Sequence, residues 1–306
     1  MKLSGAQYNY RVFGLDVGAD LPLPGLMGND GGTCDVAVIE ESPSSSPPWG
    51  GVDLVETSPP RIRVGFAPSV GLDISPSHIR YYRWNCPDVR AVGHLVTDWA
   101  LPLVLLARGT PAFHGAAVRL QSGGACLICG LSGAGKSTVS LELSRRGYPK
   151  LADDIAALRT GDASIVVEPG VGHSKLLVDA LERMSLPQEG LEPVTHKAHK
   201  FIVPTGVWPT AEPVRYIFEL SVHPGDQVDI QPVTGPEKFS ILDRHTVGTT
   251  LMRRGGLRGM HLAWLQRVAT IPVYRLRRPA GVDSMDQLIH CMEQVWAHGG
   301  PVVSQP

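Results

Sequence analysis

Gly130-Leu131-Ser132-Gly133-Ala134-Gly135-Lys136-Ser137 is the stretch from which this chain is best read. It follows the apolar run Ala125-Cys126-Leu127-Ile128-Cys129, which has the length and character of a buried strand. It opens onto Lys136 to Arg146, where Val139 and Leu143 fall on one helical face and Gly147 supplies the stop. Strand, glycine loop and helix therefore stand in succession, and the loop fits G-x-x-x-x-G-K-[ST] at every fixed position. Glycines let successive backbone N–H groups turn inward on a phosphate, and the helix N-terminus adds its positive end. A lysine at position 136 neutralises β- and γ-oxygens, and a serine at 137 offers its hydroxyl to Mg²⁺. Chance produces such a match in about one chain of this length in a hundred. The expected ligand is a nucleoside triphosphate, held by Gly130, Ser132, Gly133, Ala134, Gly135, Lys136, Ser137 and Thr138.

Lys150-Leu151-Ala152 enters a second strand that ends on Asp153-Asp154, only seventeen residues beyond Lys136. A single helix thus separates the loop from a carboxylate pair at the end of the next strand. One carboxylate can hold Mg²⁺ through its oxygens, and the other can accept a proton from an attacking hydroxyl. His114, in Phe113-His114-Gly115-Ala116-Ala117, lies just before the loop strand and gains weight from that company.

Outward from this core the chain divides into residues 1–108, β-rich, and 109–306, α/β. Strand-like runs occur at Tyr8 to Leu15, Cys34 to Ile39, Arg61 to Phe66 and Ile79 to Trp84, with a long loop over 42–48 and a helix from Leu95 to Arg108. Beyond the carboxylates, strands are expected at 163–168, 214–222 and 271–277, and helices at 236–252, 258–268 and 283–297. With 28 basic against 29 acidic side chains there is no basic surplus for gripping nucleic acid. No run of eighteen apolar residues argues for a membrane span, and the N-terminus lacks a signal-peptide core, so the expected location is cytoplasmic. Five cysteines are too few for a disulfide scaffold. Cys126 and Cys129 stand three apart on a strand, which points them to opposite faces and makes buried structural thiols the favoured reading. His196 and His199 have no carboxylate cluster beside them and read as a polar surface.

At these residues the sequence resembles the HPr kinase/phosphorylase family, whose nucleotide core is similar to that of phosphoenolpyruvate carboxykinase. The resemblance rests on His114-Gly115, the loop Gly130 to Ser137, Arg146-Gly147 and Leu151-Ala152-Asp153-Asp154, in that order. It implies a kinase of the P-loop type using ATP and Mg²⁺. It further implies Asp153 as proton acceptor, Asp154 with Ser137 on the metal, and His114 supporting the base. Thr138 stands where the bifunctional enzymes carry an acidic residue, and their glycine- and arginine-rich phosphorylase loop is not found, which leaves a kinase. The opening Tyr10-Arg11-Val12-Phe13-Gly14-Leu15 with Leu21-Pro22-Leu23-Pro24 looks like the HPr-kinase-like enzymes of lasso-peptide gene clusters. That likeness implies the C-terminal serine of a precursor peptide as acceptor, with the β-rich region as a docking element.

Glu168, Lys175, Lys197, Lys200 and Arg215 are weaker candidates for acceptor or phosphate contacts, because phosphoryl transfer needs added positive charge around the γ-phosphate. Three functions stay open on the sequence: a kinase of a peptide or protein serine, a kinase of a small-molecule alcohol, and a nucleotide-dependent switch. A homo-oligomer is compatible with each.

Overall fold

The apolar alternation from Tyr8 to Leu15 is a hairpin rather than one strand. Phe13 and Gly14 both take left-handed backbone angles, φ 56° and 75°, and their turn joins β1 (Tyr8–Val12) to β2 (Leu15–Ala19) in antiparallel register. The computed structural model describes residues 7–31, 33–42, 51–66, 69–84, 88–161, 164–194 and 199–299. The loop expected over 42–48 lies, beyond Ser42, outside them. β3 (Met27–Gly28), β4 (Val36–Glu40), β5 (Gly51–Thr57), β6 (Pro60–Phe66), β7 (Val70–Ile74) and β8 (His78–Arg83) complete an eight-stranded sheet ordered β3-β1-β2-β4-β8-β7-β6-β5.

The chain then enters α1 (Val89–Leu95), whose N-cap Asp88 accepts from the N–H groups of Arg90 and Ala91. A π-helical turn over Val96–Ala100 leads without a break into α2 (Leu101–Ala107). This is the one helical stretch among the described residues long and apolar enough to cross a membrane, and 67% of its apolar window is buried inside the protein. α2 is buried along its whole length in the first core, with Val38, Ile62, Leu72 and Ile79.

The remaining elements are β9 (Phe113–Arg119), β10 (Ala125–Gly130), α3 (Lys136–Arg145), β11 (Lys150–Ala152), β12 (Ile155–Thr160) and β13 (Ile165–Glu168). They continue with β14 (His173–Leu177), α4 (Val178–Arg183), β15 (Glu192–Pro193), β16 (Lys200–Pro204), β17 (Glu212–His223) and β18 (Asp229–Val233). The chain closes with α5 (Gly235–Arg244), α6 (Thr249–Arg254), α7 (Arg258–Val268), β19 (Val273–Pro279) and α8 (Met285–His298). The single helix expected over 236–252 breaks after Arg244. There residues 245–247 leave the helix to pair with 112–114, with a Phe113–Thr246 bridge, and Gly248, at φ 79°, turns the chain into α6, where a Cβ would stand 2.2 Å from a Leu106 methyl of α2. β3, β5, β7, β9, β12, β14, β15, β16 and β18 lie outside the strands expected from the pattern.

β9 to β13 with β17 to β19 form a second, mixed sheet in which β10–β17 and β17–β19 run parallel and the other pairs antiparallel. β10 is buried throughout. Leu127 and Cys129 face a core shared with Ile241 of α5 and Trp264 of α7. Cys126 and Ile128 face the opposite core, with Val139 and Leu143 of α3 and Leu288 and Met292 of α8. The two thiols therefore sit on opposite faces, fully buried and unbridged, and burial pushes both pKa values up. Parallel pairing sets the carboxyl ends of β10, β17 and β19 side by side, the end at which ligands bind in open α/β sheets. The architecture is mixed α/β.

Candidate active site

β10 ends on Gly130, at φ 152°, where a Cβ would lie 2.4 Å from the Leu220 carbonyl oxygen of β17. Only glycine lets the chain leave the sheet there. Gly133 and Gly135 take φ 81° and 103°, and α3 begins at Lys136 without a side-chain cap. Its first-turn N–H groups are thus left for a ligand, beside the positive end of the helix. Lys136 Nζ donates to the carbonyls of Gly130 at 2.9 Å and Leu131 at 3.3 Å, folding back over the loop. Burial lowers its pKa, opposed chiefly by Asp154.

The two carboxylates have different partners. It is Asp153, not Asp154, that Ser137 touches: Ser137 Oγ donates to Asp153 Oδ1 at 3.0 Å. It is Asp154, not Asp153, that His114 faces, with Nδ1 3.5 Å from Asp154 Oδ1. The two side chains differ as sharply in environment, Asp153 at 2% exposure and Asp154 at 45%. Asp154 sits at φ 66°, a left-handed residue at the β11–β12 joint, so consecutive side chains diverge, one toward α3 and one toward solvent beside His114. The His114 N–H is fixed by the carbonyl of His245 at 2.6 Å, and burial lowers the imidazole pKa against the pull of Asp154.

Asp153 Oδ2 is buried without a hydrogen-bond partner. A buried carboxylate oxygen left unpaired costs free energy unless a cation reaches it. Its nearest cation is Lys150 Nζ at 4.0 Å, itself wholly buried and donating to Ser174 Oγ at 2.9 Å. Burial lowers the Lys150 pKa to about 8. No group of three His, Cys, Asp or Glu side chains able to hold a metal occurs among the described residues. The donor set suits Mg²⁺ carried in by a nucleotide, which takes one or two carboxylates with phosphate oxygens and water. Ser137 and the free oxygen of Asp153 fit that ion.

Of the weaker candidates, Lys200 lies at the start of β16, close enough for its charge to act on Lys136. Lys175 is held by Asp98 of the π-helical turn at 2.6 Å, and both line a small cavity behind Asp153 and Asp154 with Thr97 and His173. The structure does not bring Glu168 or Arg215 to the loop. Glu168 is bound to Arg159 at 2.6 Å and lies against the Gly14 turn. Arg215 sits at the opposite end of β17, against Gly124, because β10 and β17 run parallel and their carboxyl ends hold the loop. Lys197 and His196 lie outside the described residues.

Three further residues near the site carry no motif in sequence. Arg278, at the end of β19, donates to the Ala134 carbonyl at 3.2 Å and so leans over the loop. Lys150 and His173 approach the carboxylates from beneath. For Arg278 the signal is a proximity of strand ends distant in sequence, and parallel pairing of β17 with β19 creates it.

His173 gives a stability prediction. Burial, then the charges of Lys175 and Lys150, hold its pKa down to about 4 against an ordinary 6.5. Between those values the unfolded chain binds a proton that the folded one refuses, so stability falls as pH drops from 6.5 toward 4. The full loss is about 3 kcal/mol at 1.36 kcal/mol per pKa unit. Urea midpoints at pH 7 and 4.5 should show a smaller acid loss for His173→Gln than for wild type. An equal loss would place the acid sensitivity elsewhere.

No protein-family model matches the sequence. The chain is 30% identical over 179 residues to a curated protein of Geobacillus sp. (strain WCH70) described as HPr kinase/phosphorylase. That match takes in 58% of this chain and 52% of the relative, so the chain spans about half the length of the relative. Among solved structures, the Hpr(Ser) kinase/phosphatase of Coxiella burnetii is similar at 14% identity and a TM-score of 0.31, covering 61% of this chain and 95% of that one. The chain is a distant homologue of HPr kinase/phosphorylase.

Proposed function

We propose that this chain is an ATP-dependent kinase that transfers the γ-phosphate to a serine hydroxyl of a peptide, the C-terminal serine of a lasso-peptide precursor. The observation that carries the reading is the divided carboxylate pair: Asp153 against Ser137 of the loop, Asp154 exposed beside His114. A hydroxyl acceptor needs a proton acceptor in the open and a metal ligand near the phosphates, and these are the two environments present. The homology to HPr kinase/phosphorylase supports the reaction class, and the opening Tyr10 to Leu15 supports the peptide acceptor.

The roles of the pair are assigned from the geometry, in reverse of those the sequence resemblance implies. Ser137 and Asp153 would hold Mg²⁺, which would shield charge on the phosphates. Lys136 leaves its two loop carbonyls for the phosphate oxygens, and Arg278, half-buried over the loop, adds a second cation. Asp154 takes the proton of the serine hydroxyl as the Oγ–phosphorus bond forms and the bond to the ADP oxygen breaks. His114 holds Asp154 in place. The exposure of Asp154 leaves room for a chain end to enter.

The test is mass spectrometry of peptides ending in Ser, Thr or Ala after incubation with ATP and Mg²⁺. The Ser peptide is expected to gain one phosphate and the Ala peptide none. Silence across all peptides, with turnover of a small alcohol, would replace the peptide acceptor by a metabolite.

A further inference from the structure

From Arg244 to Val282 the chain carries eight arginines and no carboxylate, although it is near neutral as a whole. Several of these charges are met by acids from elsewhere: Arg244 and Arg275 by Glu219, Arg277 by Asp229, and Arg253 by Asp243. Arg258 is met by none among the described residues; its Nε donates only to the Arg253 carbonyl. Arg258 stands on the rim of a wide groove of about 670 Å³ between α5, α6 and α7. The groove wall is apolar, with Phe239 at 42% and Leu262 at 59% exposure above a buried Leu265. Large side chains this open, side by side in a concavity with an unneutralised cation, are what a partner with apolar anchors and acidic flanks would cover.

The groove also has a direction. Asp243, on its inner rim, is two residues from His245, whose carbonyl fixes the His114 N–H. α5 therefore runs from the groove to the wall of the phosphate-transfer site. We infer that the α5–α7 groove docks an acidic, apolar-anchored segment of the acceptor polypeptide, away from the serine that receives the phosphate. The inference rests on the kinase reading above and deepens it. Charge favours a peptide carrying Glu or Asp beside Leu or Phe over a neutral or basic one, through both encounter rate and register. The concave shape suits an inserted segment with side-chain anchors.

The experiment is selection of displayed random peptides on the full chain. Selected sequences are then synthesised with a fluorophore and titrated by anisotropy. Enrichment of peptides with acidic and large apolar residues is expected. Their affinity should fall about tenfold or more for Arg258→Glu and for Leu262→Glu, both surface changes that leave the core untouched. ATP hydrolysis without acceptor should be unchanged in both variants. Basic or featureless winners, or acidic winners that bind Arg258→Glu and Leu262→Glu as well as wild type, would overturn the proposal. So would a concentration-dependent dimer in sedimentation velocity that Leu262→Glu abolishes, since a second copy would then be the occupant. Lys136→Ala keeps the groove, so peptide binding should persist in it. A failure of the kinase reading would show in transfer assays while this binding stood.

Discussion

Lys136→Ala is expected to reduce phosphoryl transfer by about 10²–10³-fold or more, with the fold intact. A preorganised donor on the transferring group contributes about 3–4 kcal/mol to the transition state. Nothing in the core depends on this side chain: its ammonium bonds only the carbonyls of Gly130 and Leu131, on a half-buried loop. Its loss removes two hydrogen bonds local to the loop and none to the core. Circular dichroism and thermal melts should therefore match wild type closely while the transfer rate collapses. Activity within a few-fold of wild type would remove the glycine loop from the mechanism.

Asp153→Asn and Asp154→Asn are expected to fail in different ways. Asp153 is buried against Ser137 with one oxygen unpaired, so its replacement should weaken Mg²⁺–nucleotide binding. Raised Mg²⁺ or Mn²⁺ should recover part of the rate, as expected of a lost metal ligand. Asp154 is open to solvent beside His114. Its replacement should spare nucleotide affinity and lower kcat by about 10²–10⁴-fold, the usual yield of general-base catalysis, with no recovery on adding metal. Titrations of a fluorescent nucleotide with and without metal separate the two. The converse pattern would restore the order of roles that the resemblance implies.

The loop and its carboxylates were legible because each is a run of neighbours. Gly130 to Ser137 has fixed spacing, and Lys150 to Asp154 reads as a short strand with an acidic end. What adjacency could not tell was which carboxylate faces which way. Asp154 lies at φ 66°, in a conformation that non-glycine residues seldom take, so the divergence of the two side chains depends on the backbone at one residue. The same cause hid the Phe13–Gly14 turn, where a phenylalanine at φ 56° interrupts an alternation that otherwise continues. Arg278 was hidden for another reason. Taken singly it is a surface charge, and only the parallel register of β17 and β19 brings it to Ala134. Arg215, on the same strand as Leu220, looked equally eligible and falls at the wrong end. The helix expected over 236–252 broke because tertiary pairing of 245–247 with 112–114 overrides its periodicity.

Transfer to a hydroxyl, rather than to water, is the central claim. Its most direct test is a single turnover of ATP labelled with ³²P at the γ-position, with protein in excess, with and without a peptide ending in serine. The label is expected on the serine when the peptide is present, and in inorganic phosphate only slowly when it is absent. Asp154→Asn should abolish the labelled peptide while still binding the nucleotide. Release of the label as inorganic phosphate at the same rate with and without peptide, and no labelled serine, would contradict the account and make the chain a nucleotide hydrolase or switch.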